Sequence, residues 1–293
     1  MAKYWHFSIY ISAFYVVSIF AIKRWMRDRE KYNLRTPLFL WSLTLSVFSM
    51  AGFAIAGWPH FQHFIHYGWE RSICDNTIKF GRPGLWSFLF CFSKLPELTD
   101  TYFIVLRKQK LIFLHWYHHI TVFIYCWYSY CHTICANQWF IAMNYFVHSI
   151  MYLYFAVRAS GQFRPPLWVN IFITSLQLLQ MIVGVYVNWV AYSHMKADPT
   201  WYCDGRTESS YFYVFLAFAL YFSYFVLFAH FFYTSYLHKA TGAKSGHVEI
   251  HPAQGKRFID TQSGSKVRTN GTCLPRKGDK AFLLANGTLN VIK

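Results

Sequence analysis

The stretch FLHWYHHITVF, residues 113–123, places three histidines in an apolar segment. His115, His118 and His119 have the helical spacing i, i+3, i+4, so their imidazoles share one face of a helix. A buried polar group without a partner is energetically costly, so three together indicate a shared chemical task rather than chance packing. Imidazole can act as a base, as a nucleophile or as a metal ligand near neutral pH.

A second polar row lies in SKLPELTDTYF, residues 93–103. Lys94, Glu97 and Asp100 recur at steps of three, and with Thr101 they have helical spacings that place them on one side of a helix. A charge at the centre of a membrane helix costs about 2.5–3.5 kcal/mol, so these charges must be paired or line a polar cavity. Ionisable groups at such depth favour a functional site, although an ion pair that only fixes helix packing is the alternative. Pro96 predicts a kink among them, because proline cannot donate a backbone hydrogen bond.

Two further polar rows follow downstream. Asn144, His148 and Tyr152 recur every four residues, and Tyr154 is nearby. The other row, at steps of three, consists of Thr174, Gln177 and Gln180. The row that carries a histidine favours a site, whereas the second row is explained equally well by hydrogen bonds between helices.

The segments around these rows are apolar enough to cross a membrane. The 293 residues are 55% hydrophobic and only 14% charged, which is too little charge for an ordinary soluble surface. A hydrocarbon core of about 30 Å requires about 20 apolar residues in a helix. Seven runs reach or approach this length, and they predict an all-α polytopic membrane protein. The runs are residues 5–22, 38–57, 86–106, 112–130, 138–157, 167–191 and 210–237.

Lysine and arginine collect in alternate loops. They concentrate in residues 23–35, 107–110 and 158–166 and after residue 238, and they are sparse in the loops between. The positive-inside rule therefore predicts a lumenal or extracellular N-terminus and a cytosolic C-terminus. A signal peptide is the alternative for the first run, but no small-residue cleavage site follows it. The formal net charge of +16 does not indicate nucleic-acid binding, because the basic residues do not form one soluble face.

The depths of three polar residues agree. With a rise of about 1.5 Å per residue, Asp100, His118 and His148 lie roughly 10, 12 and 15 Å from the nearest basic residue at the cytosolic border. This agreement predicts one polar chamber, open toward the cytosol and enclosed by apolar helix.

Two of the cysteines, Cys74 and Cys203, lie in polar loops on the predicted lumenal side, residues 58–85 and 192–209. Because only that side is oxidising, we predict a disulfide between them, with two free thiols as the alternative. From residue 239 the chain is rich in Gly, Ser, Lys and Thr and has no periodicity. This composition predicts a disordered basic cytosolic tail, residues 239–293, after a membrane domain of residues 1–238.

Histidines in membrane helices are typical of two kinds of enzyme. A di-iron desaturase or hydroxylase needs several separate histidine-rich boxes as metal ligands, whereas here only residues 115–119 are dense in histidine. Histidine can also act without a metal, as a base or as a nucleophile. A seven-helix receptor is a non-enzyme alternative, but the third run lacks Asp-Arg-Tyr at its cytosolic end and the seventh lacks Asn-Pro-x-x-Tyr.

Four elements, in order, resemble those of the very-long-chain fatty acid elongases, the membrane condensing enzymes of acyl-CoA elongation. KLPELTDT at residues 94–101 resembles the family's Lys-x-x-Glu-x-x-Asp-Thr element, and HWYHH at 115–119 resembles its His-x-x-His-His box. HSIMYLYF at 148–155 is similar to His-x-x-Met-Tyr-x-Tyr-Tyr, with Phe155 in place of the last Tyr, and TSLQLLQ at 174–180 matches Thr-x-x-Gln-x-x-Gln. The resemblance covers about residues 5–238 and is closest to the branch that acts on saturated and monounsaturated long-chain acyl groups.

This resemblance implies seven helices around an acyl tunnel in the endoplasmic reticulum membrane. The implied reaction condenses a long-chain acyl-CoA with malonyl-CoA to give 3-oxoacyl-CoA, CO2 and CoA, and it needs neither a metal nor another cofactor. The resemblance also implies the lumenal disulfide and, by position, His118 and His148 as the imidazoles that take up the acyl group. The supporting residues of the site are then His115, His119, Lys94, Glu97, Asp100 and Asn144.

Basic residues at the cytosolic mouth are expected to meet the CoA phosphates, with ordinary positive-inside charge as the alternative. The expected substrate-binding residues are Arg107, Lys108, Lys110 and Arg158, together with Tyr152, Tyr154, Thr174, Gln177 and Gln180. The expected partners are membrane lipid and the ketoreductase, dehydratase and enoyl reductase of the elongation cycle. A second copy of the chain is a further possible partner, which would form a homodimer.

Overall fold

The computed structural model describes residues 4–74, 80–131, 136–197 and 208–238, and the backbone of residues 280–283 and 289–292. The chain divides into two units, Met1–Thr241 and Gly242–Lys293. The described helices of the first unit are α1 Phe7–Trp25, α2 Arg35–Gly52, α3 Trp58–Cys74, α4 Gly81–Glu97, α5 Thr99–Leu106, α6 Phe113–Cys131, α7 Asn137–Ser160, α8 Leu167–Ala197 and α9 Glu208–Phe232. Short 3₁₀ or π segments cover Met26–Asp28, Phe53–Gly57 and Tyr233–Leu237.

Within the described residues, five helical stretches are long and apolar enough to cross a membrane. They are Phe7–Asp28, Arg35–Ile73, Asn137–Ser160, Leu167–Ala197 and Tyr211–Leu237. For the described residues of the first unit the predicted helical membrane architecture is therefore confirmed, but the predicted number of seven spans is not. The run at 86–106 is divided between α4 and α5, and α6 carries three histidines that lower its mean hydropathy.

The division between α4 and α5 lies beside Pro96, where the sequence predicts a kink. Proline has no amide hydrogen, so the regular helical hydrogen bond is lost at this turn. The amide of Leu98 instead donates to the carbonyl of Leu95 over 3.2 Å, and the amide of Thr101 donates to the carbonyl of Leu98 over 3.3 Å. The break places Lys94 and Glu97 on α4 and Asp100 on α5, and the two parts of the charged row contact different neighbours.

The residues that follow the second predicted span do not form the expected loop. A π-helical segment at Phe53–Gly57 joins α2 to α3, so that helix continues to Cys74. The only described backbone interruption inside α3 is Gly68, whose φ of 77° lies in the left-handed region. The prediction of a loop over residues 58–85 is therefore wrong for its first part, because an aromatic, amphipathic segment forms helix there.

A stripe of small residues explains how α2 packs along α7. Ser42, Ser46 and Ser49 are buried on one face of α2, and the hydroxyl of Ser46 donates to the carbonyl of Ser149 over 2.9 Å. Small side chains let helix backbones approach closely, which is the usual basis of helix association in membranes. This packing holds the row of Asn144, His148 and Tyr152 on α7 against the interior of the bundle.

The second unit contains two short antiparallel strands, β1 Lys280–Leu283 and β2 Leu289–Ile292. Lys280 is opposite Ile292, and Leu283 is opposite Leu289. The residues between the helical unit and β1, on which most of the disorder prediction falls, lie outside the described part of the chain.

Candidate active site

Lys94 and Glu97 form a buried ion pair at the centre of the helical unit. The ammonium nitrogen lies 2.8 and 2.9 Å from the two carboxylate oxygens, and only 2% of Lys94 is exposed. The hydroxyl of Ser93 donates to the same carboxylate over 2.9 Å, and the Lys94 ammonium lies 4.2 Å from the centre of the Phe90 ring. The charge of the lysine is thus compensated locally, as the cost of burying an isolated charge requires.

Lys94 also fixes the orientation of an amide on another helix. Its ammonium donates to Oδ1 of Asn144 on α7 over 3.0 Å. Because an ammonium group can only donate, the oxygen of the amide must face Lys94. The NH₂ group of Asn144, a residue that lines the central cavity, is consequently the part left to donate there.

Four imidazoles meet beside this ion pair. Nδ1 of His148 lies 3.8 Å from Oε2 of Glu97, and the rings of His118 and His119 are 5.8 Å apart. The ring of His115 packs 4.4 Å from that of His119. His148 lies within electrostatic range of both Lys94 and His118. The histidine row of α6 and the histidine of α7 therefore belong to one cluster.

Asp100 joins three helices from its position on α5. One carboxylate oxygen accepts a hydrogen bond from the indole N–H of Trp41 on α2, and the other accepts one from the hydroxyl of Tyr152 on α7, each over 2.6 Å. The ring of Tyr152 lies 5.2 Å from that of His148. Asp100 thus supports the imidazole cluster through Tyr152 and has no described contact with an imidazole of its own.

A cavity of about 390 Å³ extends from the imidazole cluster into the bundle. His118, Asn144 and Tyr224 lie at one end, where the Tyr224 ring is 4.9 Å from that of His118, and Cys91, Cys126 and Tyr221 also line the cavity. Ser87, Gln138, Tyr130 and Phe80 line the far end, near the first turns of α4 and α7. From His118 to Ser129 on α6 the helix rises about 16 Å, so the cavity is long as well as narrow.

Three guanidinium groups lie together at the end of the helical unit that the sequence predicts to face the cytosol. Burial and the neighbouring charges of Arg35 and Arg158 lower the pKa of Arg107, so the three groups lie within electrostatic range of each other. Arg158 donates to the hydroxyl of Tyr154 over 2.9 Å. The ammonium of Lys108 points elsewhere and donates to the carbonyl of Arg27 over 3.1 Å. Lys110 is exposed.

The row on α8 is spread over different surroundings. The hydroxyl of Thr174 donates to the carbonyl of Asn170 over 2.9 Å and lies 3.2 Å from the hydroxyl of Tyr236. Gln177 lies 3.3 Å from the sulfur of Met151, and Gln180 lines the cavity. Of the three, only Gln180 therefore reaches the cavity that contains His118.

The predicted disulfide concerns residues outside the described part of the chain. The side chain of Cys74 and all of Cys203 lie outside the described residues, so their disulfide stays a prediction. Among the residues that are described, no three side chains of His, Cys, Asp or Glu come together as a group that could hold a metal ion.

Comparison with known proteins places this arrangement in a family. The model of the ELO family, described as the GNS1/SUR4 family, matches residues 1–244. The chain belongs to this family. It is 46% identical over 240 residues to "Very long chain fatty acid elongase 6" of Drosophila melanogaster, covering 81% of this chain and 74% of the relative.

Two vertebrate relatives carry the same name. The elongase family member of Gallus gallus is 44% identical over 246 residues, covering 83% of this chain and 89% of the relative. That of Homo sapiens is 43% identical over 240 residues, covering 82% and 88%. The match to the family model, residues 1–244, contains all of the helical unit described above.

Several site residues of this ELO family member carry no signal of their own in the sequence. Trp41 binds Asp100, and the ring of Tyr224 lies 4.9 Å from that of His118. Both are aromatic residues in strongly aromatic spans, so nothing distinguishes them from lipid-facing neighbours. Ser93 adjoins the charged row, and its position beside Lys94 is the only clue to its role.

Proposed function

We propose that this chain condenses a long-chain acyl-CoA with malonyl-CoA through an acyl-histidine intermediate, with the acyl chain held in the cavity that begins at His118. The chain is a fatty acid elongase, a 3-oxoacyl-CoA synthase, as its family and relatives indicate. The observation that supports the finer proposal is the position of His118. Its ring lies at the end of a long, mainly apolar cavity and adjoins the Lys94–Asn144 pair and His148.

The proposed chemistry has two stages. In the first, a neutral imidazole nitrogen attacks the acyl thioester, the carbon–sulfur bond breaks, and CoA leaves as a thiol with the proton given up by the imidazole. In the second, malonyl-CoA loses CO2 to form an enolate, whose carbon attacks the acyl-imidazole. The carbon–nitrogen bond breaks, and the departing imidazole takes up one proton from the cytosolic solution, which restores the neutral histidine. The product is 3-oxoacyl-CoA. Exclusion of water from the site protects the enolate from protonation.

The residues around the imidazoles would supply orientation and charge. The NH₂ of Asn144 can hold a nitrogen of one imidazole or an oxygen that gains negative charge. Lys94, compensated by Glu97, would keep that amide oriented. Asp100, through Tyr152, would position His148, while His115 and His119 would support His118 from the same helix.

The arginine cluster at the other end would hold the CoA phosphates. Arg107, Arg35 and Arg158 repel each other, and a phosphate placed among them would relieve that repulsion and accept several N–H donors. Lys110 is free to extend this surface, whereas Lys108 would act only if it left the Arg27 carbonyl. Tyr154, Thr174 and Gln177 would line the entrance.

The membrane arrangement follows the charge pattern of the loops. We expect α4 with α5 to form one broken span and α6 another, which would complete seven spans with a lumenal N-terminus in the endoplasmic reticulum. Cys74 and Cys203 would then share the oxidising side. The next enzymes of the cycle, a ketoreductase, a dehydratase and an enoyl reductase, would take the product, and a homodimer stays open.

The central test separates the condensing reaction from its intermediate. Purified protein is incubated with a long-chain saturated acyl-CoA alone, and released CoA and intact protein mass are measured. We expect one equivalent of CoA and a mass gain of one acyl group on a peptide that contains His118 or His148. Condensation with malonyl-CoA but without any acylated protein would reject the intermediate and keep the elongase activity.

No bound metal or other cofactor is required by this proposal. The alternative, a di-iron desaturase or hydroxylase, requires bound iron in the purified protein. If turnover required stoichiometric iron and stopped after chelation, the metal-free condensation would be rejected. Unchanged 3-oxoacyl-CoA formation in protein with less than one iron per chain would support it.

A further inference from the structure

Two hydroxyl groups lie behind the histidine row. Tyr15 on α1 is 1% exposed and Thr101 on α5 is fully buried, and their hydroxyls form a short hydrogen bond. Oγ1 of Thr101 also lies 3.0 Å from Nε2 of His115 on α6. A buried chain of polar atoms therefore connects α1, α5 and α6 and ends on an imidazole. The chemistry proposed above assigns no role to Tyr15 or Thr101.

The direction of these hydrogen bonds follows from the number of protons. If Tyr15 donates to Thr101, then Thr101 donates to Nε2 of His115, and every hydroxyl proton has an acceptor. In the reverse direction the proton of Tyr15 would have no acceptor among the described residues. A buried donor without a partner costs about 1–3 kcal/mol, so the first direction is favoured. Nε2 of His115 is then an acceptor, and its proton must be on Nδ1.

We propose that Tyr15 and Thr101 are positioning residues of the condensing site, which hold His115 as the neutral tautomer with its proton on Nδ1. The fixed ring of His115 packs 4.4 Å from His119, and His119 lies 5.8 Å from His118. The first helix of the chain thereby sets the orientation of the imidazole row. This inference rests on the proposed role of the histidine cluster in condensation.

The same helix pair offers a matched control. The hydroxyls of Ser18 on α1 and Tyr102 on α5 lie 2.5 Å apart, in the position next to the Tyr15–Thr101 pair. This second pair joins the same two helices without an imidazole at its end. Tyr102→Phe therefore removes a comparable contact between α1 and α5 and leaves the tautomer of His115 unchanged.

The experiment measures kcat and KM for condensation by purified Tyr15→Phe, Thr101→Val, Thr101→Ser and Tyr102→Phe. We expect Tyr15→Phe and Thr101→Val to lower kcat roughly 10-fold to 100-fold with little change in KM. Thr101→Val removes the donor to the buried Nε2, and Tyr15→Phe removes the hydrogen bond that fixes the direction of that donor. Thr101→Ser, which keeps the hydroxyl, should recover most of the activity, and Tyr102→Phe should have a normal kcat. Wild-type kcat in Tyr15→Phe, or an equal loss in Tyr102→Phe, would overturn the inference.

A double variant tests whether the two hydroxyls act as one unit. Tyr15→Phe acts through Thr101, so in the Thr101→Val background it should cause no further loss of kcat. If the fold losses of kcat multiply in the double variant, the two hydroxyls act independently, and the hydrogen-bonded chain from Tyr15 through Thr101 to His115 is rejected. His115→Ala distinguishes a failure of the proposed histidine site from a failure of the proposed role of Tyr15. Full activity in that variant would remove His115 from the proposed site, whereas an inactive His115→Ala with a fully active Tyr15→Phe would reject only the role of Tyr15.

Discussion

The ammonium of Lys94 on α4 donates to the side-chain oxygen of Asn144 on α7 over 3.0 Å. This contact joins the charged row of one helix to the polar row of another, and it determines which end of the amide faces the cavity. The buried charge of Lys94, which is costly in an apolar span, thus orients the NH₂ group of Asn144 beside His118.

Asn144→Asp should distinguish the role of the amide oxygen from the role of the NH₂ group. The carboxylate would still accept from Lys94, but it could not donate toward the cavity. Removing one such donor to developing negative charge typically lowers kcat roughly 10²–10³-fold, and we expect a loss of that size with KM less affected. Steady-state kinetics with an acyl-CoA and malonyl-CoA measure it. Near-normal kcat would mean that the NH₂ group of Asn144 takes no part.

The control for this change is Asn188→Asp. Asn188 is also a buried asparagine, but its amide donates to the carbonyl of Gly184 over 2.9 Å, and it does not line the cavity. The variant tests the general cost of placing a carboxylate inside the bundle. It should lower the thermal midpoint in detergent and leave kcat per folded molecule unchanged.

His118→Ala and His148→Ala should each reduce condensation to background while the protein stays folded. Each loses an imidazole that the proposed mechanism uses as nucleophile or base. His66→Ala changes an exposed histidine of α3 and should keep normal turnover. Product formation is measured with radiolabelled malonyl-CoA on gel-filtered protein. Either site variant with near-normal turnover would lose its place in the mechanism.

Local energetics explain what the sequence predicts about the site. Lys94 and Glu97 are three residues apart on a helix, so the need to pair them follows from spacing and the cost of buried charge. The approach of His118 to His148 follows from polar rows on apolar helices at matching depth. The same argument places Asp100 at that level, where it contacts Tyr152 rather than an imidazole. Pro96 likewise predicts the break in the helix before α5.

The remaining contacts depend on pairings that no local rule provides. Trp41 and Asp100 are 59 residues apart, and Tyr15 and Thr101 are 86 residues apart. In a chain with 22% aromatic residues, a tryptophan or tyrosine that binds a site residue looks like one that faces lipid. The helix that continues past residue 57 escaped prediction for a related reason, since its aromatic and histidine residues suit an interfacial loop equally well.

Arg107→Ala should weaken the binding of CoA substrates rather than the chemical step. The half-buried guanidinium of Arg107 lies close to Arg35 and Arg158, and a phosphate there would form charge-assisted hydrogen bonds. We expect KM to rise roughly 10-fold, equivalent to about 1.4 kcal/mol, with kcat nearly unchanged. The effect should shrink as salt is added, because ions screen exposed charges.

Arg29→Ala is the matched control at the same face of the bundle. The guanidinium of Arg29 stacks 4.0 Å from the Trp25 ring, outside the arginine cluster. Its loss should leave KM unchanged if the cluster, rather than general positive charge, binds CoA. Equal increases of KM in both variants would favour ordinary membrane-facing charge as the explanation for Arg107.

Gly184→Ala should shorten the acyl chains that the enzyme accepts. A Cβ atom at Gly184 would overlap the ring of Tyr221, which lines the cavity and packs 4.6 Å from Phe140. The ring must move, and overpacking of this kind costs about 1–3 kcal/mol of stability. Gly52→Ala creates the same overlap with Tyr145, whose ring does not line the cavity, and it should destabilise the protein without altering chain length. Product profiles from a panel of saturated acyl-CoAs, measured beside thermal midpoints, distinguish the two variants. If both keep the wild-type profile despite lower stability, Tyr221 does not limit the space for the acyl chain.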